Sequence, residues 1–241
     1  MISCAKTDVG IKRKINQDAI FFSDTAIGRL PNLYLVADGM GGELAGDYAS
    51  AKCVETLINC IKKSNETEPV RILEEAIQTA NNLIYTESKA DPSKAGMGTT
   101  LVMATVIDGH LFVANVGDSR LYVANSSKVM QVTKDHSVVA ELVRTGELDE
   151  DDARTDKRKN MITRAIGAES AIVPDYFDVA LKGREHILLC SDGLTNMVSD
   201  KEILTILKSA DTIENRAARL IELANNNGGK DNISVIIVEE S

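Results

Sequence analysis

TTLVMATVIDGHLFVANVGDSRLYVANSSKVMQVT, residues 99–133, is the stretch that decides the architecture. It holds four apolar or alternating runs, 99–107, 110–115, 119–125 and 128–133, broken only by short polar or Gly-containing connections. Connections this short leave no room for a crossover helix, so the runs read as successive antiparallel strands. Upstream, residues 2–9, 19–23 and 33–37 also read as strands. Between the two groups lie two amphipathic helices, one carrying Ala45, Ala49, Val54, Leu57, Ile58 and Ile61, the other Ile72, Leu73, Ala76, Ile77, Ala80, Leu83 and Ile84. Downstream, a charged, loop-rich stretch runs to about residue 159, followed by strands at 173–181 and 186–190. A second helix pair covers 200–208, opened by a Ser199 and Glu202 capping box, and 213–225, before a last strand at 233–239. Strands interrupted by two one-faced helix pairs predict an α+β fold with antiparallel sheets inside and helices outside on both faces. No Pro, Gly or Ser-rich linker divides the 241 residues, so one domain over 1–241 is expected.

Composition narrows the function. Hydrophobic residues make up 44% and charged residues 26%, with only 4 Pro, as in an ordinary globular chain. The first 14 residues lack the apolar run of a signal peptide, and no stretch is long enough to cross a bilayer; a cytoplasmic protein without a membrane partner is expected. Cys4, Cys53, Cys60 and Cys190 show no metal spacing and read as reduced thiols. A net charge of -9, with no basic stripe, argues against nucleic acid. Carboxylates converging on cations would neutralise part of that charge.

Four strand-like runs meet an aspartate beside or near glycine: Asp38-Gly39, Gly117-Asp118, Asp192-Gly193 and Gly228-Gly229-Lys230-Asp231. A single Asp-Gly is most often a turn. Four at strand ends point instead to converging hard oxygen ligands, with magnesium or manganese favoured over zinc. Cysteine-based phosphatase chemistry is excluded, because the sixth residue after each cysteine is Gly10, Asn59, Glu66 or Asn196 rather than arginine. Nucleotide-binding loops fail too: Gly229-Lys230 is followed by Asp231, and Gly39-Met40-Gly41 lacks a third glycine at Leu44.

From Thr7 to Ser234 the chain resembles the type-2C, metal-dependent family of serine/threonine protein phosphatases. The motifs occur in family order: Thr7-Asp8-Val9-Gly10 with Arg13 and Asn16-Gln17-Asp18; Asp38-Gly39-Met40-Gly41-Gly42; Gly98-Thr99-Thr100; Gly117-Asp118-Ser119-Arg120; Asp135-His136-Ser137; Ser191-Asp192-Gly193; and Gly229-Lys230-Asp231-Asn232. The Asn-Gln-Asp and Asp-Gly-Met-Gly-Gly forms resemble the bacterial branch, which implies a four-layer α-β-β-α sandwich, two central antiparallel sheets flanked by helix pairs, in agreement with the layering read above. The resemblance implies two core ions, Mn2+ or Mg2+, with Asp38 bridging them, Asp192 and Asp231 completing one site, and the Gly39 carbonyl and Asp18 serving the other. It implies a third, weaker site at Asp118 with Asp192. Two cations about 4 Å apart would ready a bridging water for attack on phosphorus, and Arg13 would clamp the phosphate through paired guanidinium hydrogen bonds. The expected activity is hydrolysis of phosphoserine and phosphothreonine in partner proteins by a monomer, opposing a bacterial serine/threonine kinase.

Two departures separate the chain from animal-type members. Met40 stands where they carry a histidine proposed as general acid, and Gln17 stands where they carry glutamate, which removes one carboxylate from the second site. His136 reads as a structural hydrogen-bonding residue and His110 and His186 as surface residues. Residues 142–160 correspond to a flap beside the active site, charged through Glu147, Asp149, Glu150, Asp151, Asp152, Arg154, Asp156, Lys157, Arg158 and Lys159, and read as a solvated loop that selects substrates. Two rivals carry less weight. A catalytically silent phosphoprotein-binding domain would have lost the carboxylates that are present here, and a nuclease would need a basic groove.

Overall fold

In the computed structural model, residues 1–41, 45–153 and 156–240 are described. Gly42 of the Asp-Gly-Met-Gly-Gly motif and Arg154 of the expected flap lie outside them, as do the side chains of Glu150 and Asp151. Strands β1 (Ile2–Asp8), β2 (Asp18–Ser23) and β3 (Leu33–Met40) lead into helices α1 (Gly46–Lys63) and α2 (Pro69–Ala90). Then come β4 (Gly98–Thr99), β5 (Leu101–Ile107), β6 (His110–Val116), β7 (Arg120–Ala124) and β8 (Val129–Gln131). Two short helices, α3 (Val138–Thr145) and α4 (Glu150–Ala153), precede β9 (Asp175–Ala180) and β10 (His186–Cys190). Helices α5 (Asp192–Thr195), α6 (Asp200–Leu207) and α7 (Ile213–Asn226) and strand β11 (Ile233–Glu239) complete the order.

The strands form two antiparallel sheets, β1-β11-β10-β7-β8 and β2-β3-β5-β6-β9, with β4 paired to β3. Alternation along single strands shows why they stack. Tyr34 and Val36 of β3 and Ile236 and Val238 of β11 meet in an apolar layer between the sheets. Leu33 and Leu35 turn the other way onto α1 and α2, while Val235 and Ile237 turn onto α6 and α7. β11 is buried on both faces, and apart from Ser234 and the terminal Glu239 its residues are apolar. The four-layer α-β-β-α expectation is borne out. The Ser199 and Glu202 capping box at the start of α6 forms as read.

Two expectations are corrected. The four runs of residues 99–133 do not all pair in sequence: β5 pairs with β6 and β7 with β8, but β6 and β7 belong to different sheets. Gly117, Asp118 and Ser119 carry the chain across. Gly117 makes this step at φ +102, with no room for a side chain, since a Cβ would sit 2.7 Å from the side chain of Thr100. The stretch to residue 159 is also less loop-like than expected. It contains α3, whose first turn is capped by the Ser137 hydroxyl accepting from the Ala140 N–H and whose end is stopped by left-handed Gly146.

Candidate active site

The strand pairing brings the aspartates together. Asp18 and Asp38 face each other across β2 and β3 in direct register. Asp192 begins α5 just beyond β10, Asp231 lies just before β11, and Asp118 sits in the turn that switches sheets. Asp38, Gly39, Asp118, Asp192 and Asp231 line one cavity of about 720 Å³, together with Arg13, Met40 and Thr100. Asp118 and Asp192 also line a second cleft of about 1110 Å³, whose far wall includes Arg144 and Lys159 of the segment read as a flap.

The segments that carry these aspartates are held by groups the sequence reading did not single out for that purpose. The Ser191 hydroxyl donates to Asp18 Oδ2 at 2.8 Å while accepting from the Ser234 N–H. Thr100 accepts the Asp38 N–H at 3.0 Å, and the Thr99 hydroxyl donates to the Asp38 carbonyl. Buried Asn232 accepts from the Gln17 N–H and donates to the Val9 and Ile15 carbonyls. It thereby clamps both ends of the loop that carries Arg13. That loop is pinned again by the Gly229 carbonyl, which accepts from the N–H groups of Ile11 and Lys12. The motif positions of Ser191, Thr100 and Asn232 were legible, but their partners lie far off in sequence.

Arg13 reaches the cavity with a half-exposed side chain, and its Nη2 donates to Asp231 Oδ2 at 2.8 Å. Met40 lines the cavity without offering a proton. His136 is buried and hydrogen-bonded as expected, and His110 is exposed beside Asp178. His186 is corrected: it is partly buried, and its Nδ1 lies 2.6 Å from Glu239 Oε1, next to buried Arg216. Cys53 and Cys190 are buried and all four thiols are free.

Burial comes first in raising the proton affinity of these aspartates. It pushes Asp18 up to about 7, against the nearby hydroxyls of Ser234 and Ser191 and with help from the charges of Asp192 and Asp231. Burial and then Asp192 and Asp135 push Asp118 up to about 8. Asp192 rises to about 6 through burial and the Asp231 charge, opposed by nearby Asp38, Arg120 and Arg13. Asp38 is held well above the ordinary carboxylate range by burial and by the charges of Asp18, Asp192, Asp118 and Asp231. Asp18, Asp38, Asp118 and Asp192 each lie near enough to other carboxylates for the neighbouring charges to raise their proton affinity.

Whether the set suits a cation is tested by its unused oxygens. Asp18 Oδ1 and Asp192 Oδ1 are buried and have no hydrogen-bond partner, a costly arrangement unless something positive satisfies them. The donors near the cavity are carboxylates and carbonyls rather than imidazole or thiolate, which suits a hard ion. The cage is gathered rather than closed. Among the described residues no three acidic, His or Cys side chains already converge on one point, since Arg13 holds Asp231 and the Asn196 amide holds Asp192 Oδ2. The residues fit divalent cations once those two hydrogen bonds yield.

A profile of the family described as Protein phosphatase 2C matches residues 18–233. The chain belongs to the protein phosphatase 2C family. Among curated relatives, the protein phosphatase 2C member named Serine/threonine phosphatase stp, from Listeria monocytogenes serotype 4b, is 43% identical over 211 residues, covering 86% of this chain and 84% of its own. Protein phosphatase PhpP of Streptococcus pneumoniae serotype 2 is 37% identical over 236 residues, covering 96% and 94%. Among solved structures, Stp1 of Staphylococcus aureus superposes with a TM-score of 0.93 at 35% identity, covering 99% of this chain and 94% of that one. The catalytic domain of PstP, solved with 2 manganese ions, gives 0.86 at 31% identity, covering 98% and 96%. The protein phosphatase 2C members are hydrolases, and the layering described above is theirs.

The raised aspartates set the sign of a pH dependence. Asp18 and Asp118 hold protons in the folded chain at pH values where the unfolded chain, with carboxylates near 3.8, has lost them. The stability they contribute is complete below about pH 4 and is lost as pH rises through about 7 to 8. In chelator-treated protein the melting temperature should therefore fall between about pH 4 and 8. Added Mn2+ should restore it most at the alkaline end, where cations no longer compete with protons. Scanning calorimetry reads this directly; a chelated protein that gains stability over the same range would contradict the shared burial of these carboxylates.

Proposed function

We propose that the chain hydrolyses phosphoserine and phosphothreonine in other proteins, with Asp38, Asp192, Asp231, Asp18, Asp118 and the Gly39 carbonyl holding divalent cations and Arg13 holding the phosphate. Manganese or magnesium bound there supplies an activated water and offsets the charge of the phosphate. The observation that carries this reading is the pair of partnerless buried oxygens on Asp18 and Asp192 beside a cavity that also presents Asp38, Asp231 and Arg13. Arg13 is half-exposed at the cavity, where its guanidinium could exchange Asp231 for a phosphate oxygen. Its fork then donates two hydrogen bonds to one phosphate. Met40 offers the leaving serine or threonine oxygen no proton, so water or another group at the site supplies it. The same reading takes residues 1–241 as one catalytic domain, acting as a monomer in the cytoplasm against a serine/threonine kinase. In its support, no described helix is long and apolar enough to cross a membrane.

The direct test is release of phosphate from a phosphothreonine peptide by purified protein. Release is expected with Mn2+, abolished by chelator and regained on adding Mn2+ back; binding of the peptide without turnover under all metal conditions would replace catalysis with recognition alone. Arg13→Lys keeps the charge but loses the fork, and kcat/KM should fall by about 10-fold or more, equivalent to roughly 1.4 kcal/mol. Peptide kinetics that leave Arg13→Lys equal to wild type would remove the clamp from the mechanism.

A further inference from the structure

The turn that carries Asp118 has an unusual support. Its Gly117 is held by His136 through both main chain and side chain: the Gly117 N–H donates to His136 Nδ1 at 3.1 Å, and the His136 N–H donates to the Gly117 carbonyl at 3.0 Å. His136 is only 5% exposed. Because Nδ1 accepts, a neutral ring carries its proton on Nε2, which lies 3.3 Å from both Asp175 Oδ2 and Arg164 Nη1. Arg164 Nη1 donates to the other oxygen of Asp175 at 2.9 Å and to the Val173 carbonyl. Asp175 can accept the Nε2 proton, with the Arg164 guanidinium against the same edge of the ring, and Nδ1 is left as the acceptor that Gly117 needs. On the opposite side the turn abuts Thr100, which is tied to the Asp38 N–H and to Ser119. The turn is wedged between a group that fixes Asp38 and a group that answers to Asp175 and Arg164.

We infer that His136 is the positioning residue of Asp118, its Nδ1 fixing the Gly117 turn so that the Asp118 carboxylate meets a cation. The inference rests on the proposed role of Asp118 as a cation ligand. His136 touches neither substrate nor cation; it acts through the backbone of Gly117, much as groups behind a metal ligand set where that ligand points. Burial holds the imidazole below its ordinary value, in keeping with a neutral acceptor at pH 7.

Three substitutions separate positioning from packing. Asparagine places an amide oxygen at the level of Nδ1, glutamine places its amide at the level of Nε2, and alanine supplies neither. The measurement is titration of chelated, refolded-free protein with Mn2+ by calorimetry, alongside Asp118→Asn to identify the step that belongs to Asp118. That step should weaken by about 10- to 100-fold in His136→Gln and His136→Ala and stay close to wild type in His136→Asn. If the alanine variant does not fold, the Asn and Gln pair decides. An unchanged step in His136→Gln, or equal losses in His136→Gln and His136→Asn, overturns the inference while Asp118 keeps its role. Should no step be lost in Asp118→Asn, the cation assignment of Asp118 falls and the inference falls with it.

Discussion

Asp38→Asn is expected to lower kcat/KM on a phosphothreonine peptide by about 10³-fold or more, roughly 4 kcal/mol of transition-state stabilisation. The change is nearly isosteric, so the fold should survive: the Asp38 backbone stays tied to Thr99 and Thr100. What is lost is one negative charge at the point where the charges of Asp18, Asp192, Asp118 and Asp231 all act. An amide is a poor ligand for two cations at once, so Mn2+ affinity measured by calorimetry should fall together with activity. A variant with wild-type turnover would remove Asp38 from the centre of the mechanism.

Gly193→Ala should disable the same site by steric means. A Cβ at Gly193 would overlap the backbone carbonyl of Asn232, a group that cannot rotate away. Relief requires α5 and the segment entering β11 to separate, which moves Asp192 away from Asp231 and loosens the Asn232 clamp on the Arg13 loop. Overpacking of this kind should cost about 3 kcal/mol or more, lowering the melting temperature by roughly 6–12 °C in a chain of this size. Activity should fall further than the loss of folded protein explains. Calorimetry paired with kinetics on the folded fraction tests this, and an alanine variant as stable and active as wild type would mean the two segments are free to move apart.

Much of the fold could be read from the chain because alternation is a local signal. Leu33 to Val36 and Val235 to Val238 announce strands buried on two faces, and the Ser199 and Glu202 pair announces its helix. Sheet membership is not local. Nothing in Gly117-Asp118-Ser119 distinguishes a hairpin from a step between sheets, because the deciding contact is with Thr100. Helix α3 did leave a trace, with Val138, Val139, Leu142 and Val143 at helical spacing between Ser137 and Gly146, but the charged residues that follow obscured it. At the site, the aspartates stood out through repetition beside glycine. The residues that hold them, Ser191, Asn232 and His136, gained meaning only when partners distant in sequence came into reach.

The pairing of β1 with β11, from Ile2 opposite Glu239 to Asp8 opposite Ile233, bears on the order of assembly during translation. β11 is the interior strand that joins β1 to β10, and it leaves the ribosome after every other element named here. Until it emerges, β1 has lost its hydrogen-bonding neighbour, and the Arg13 loop lacks Asn232 and the Gly229 carbonyl that hold it. A nascent chain stalled before residue 231 thus carries unpaired strand edges open to aggregation and an incomplete acidic pocket, so hydrolytic capability arrives only with the final segment.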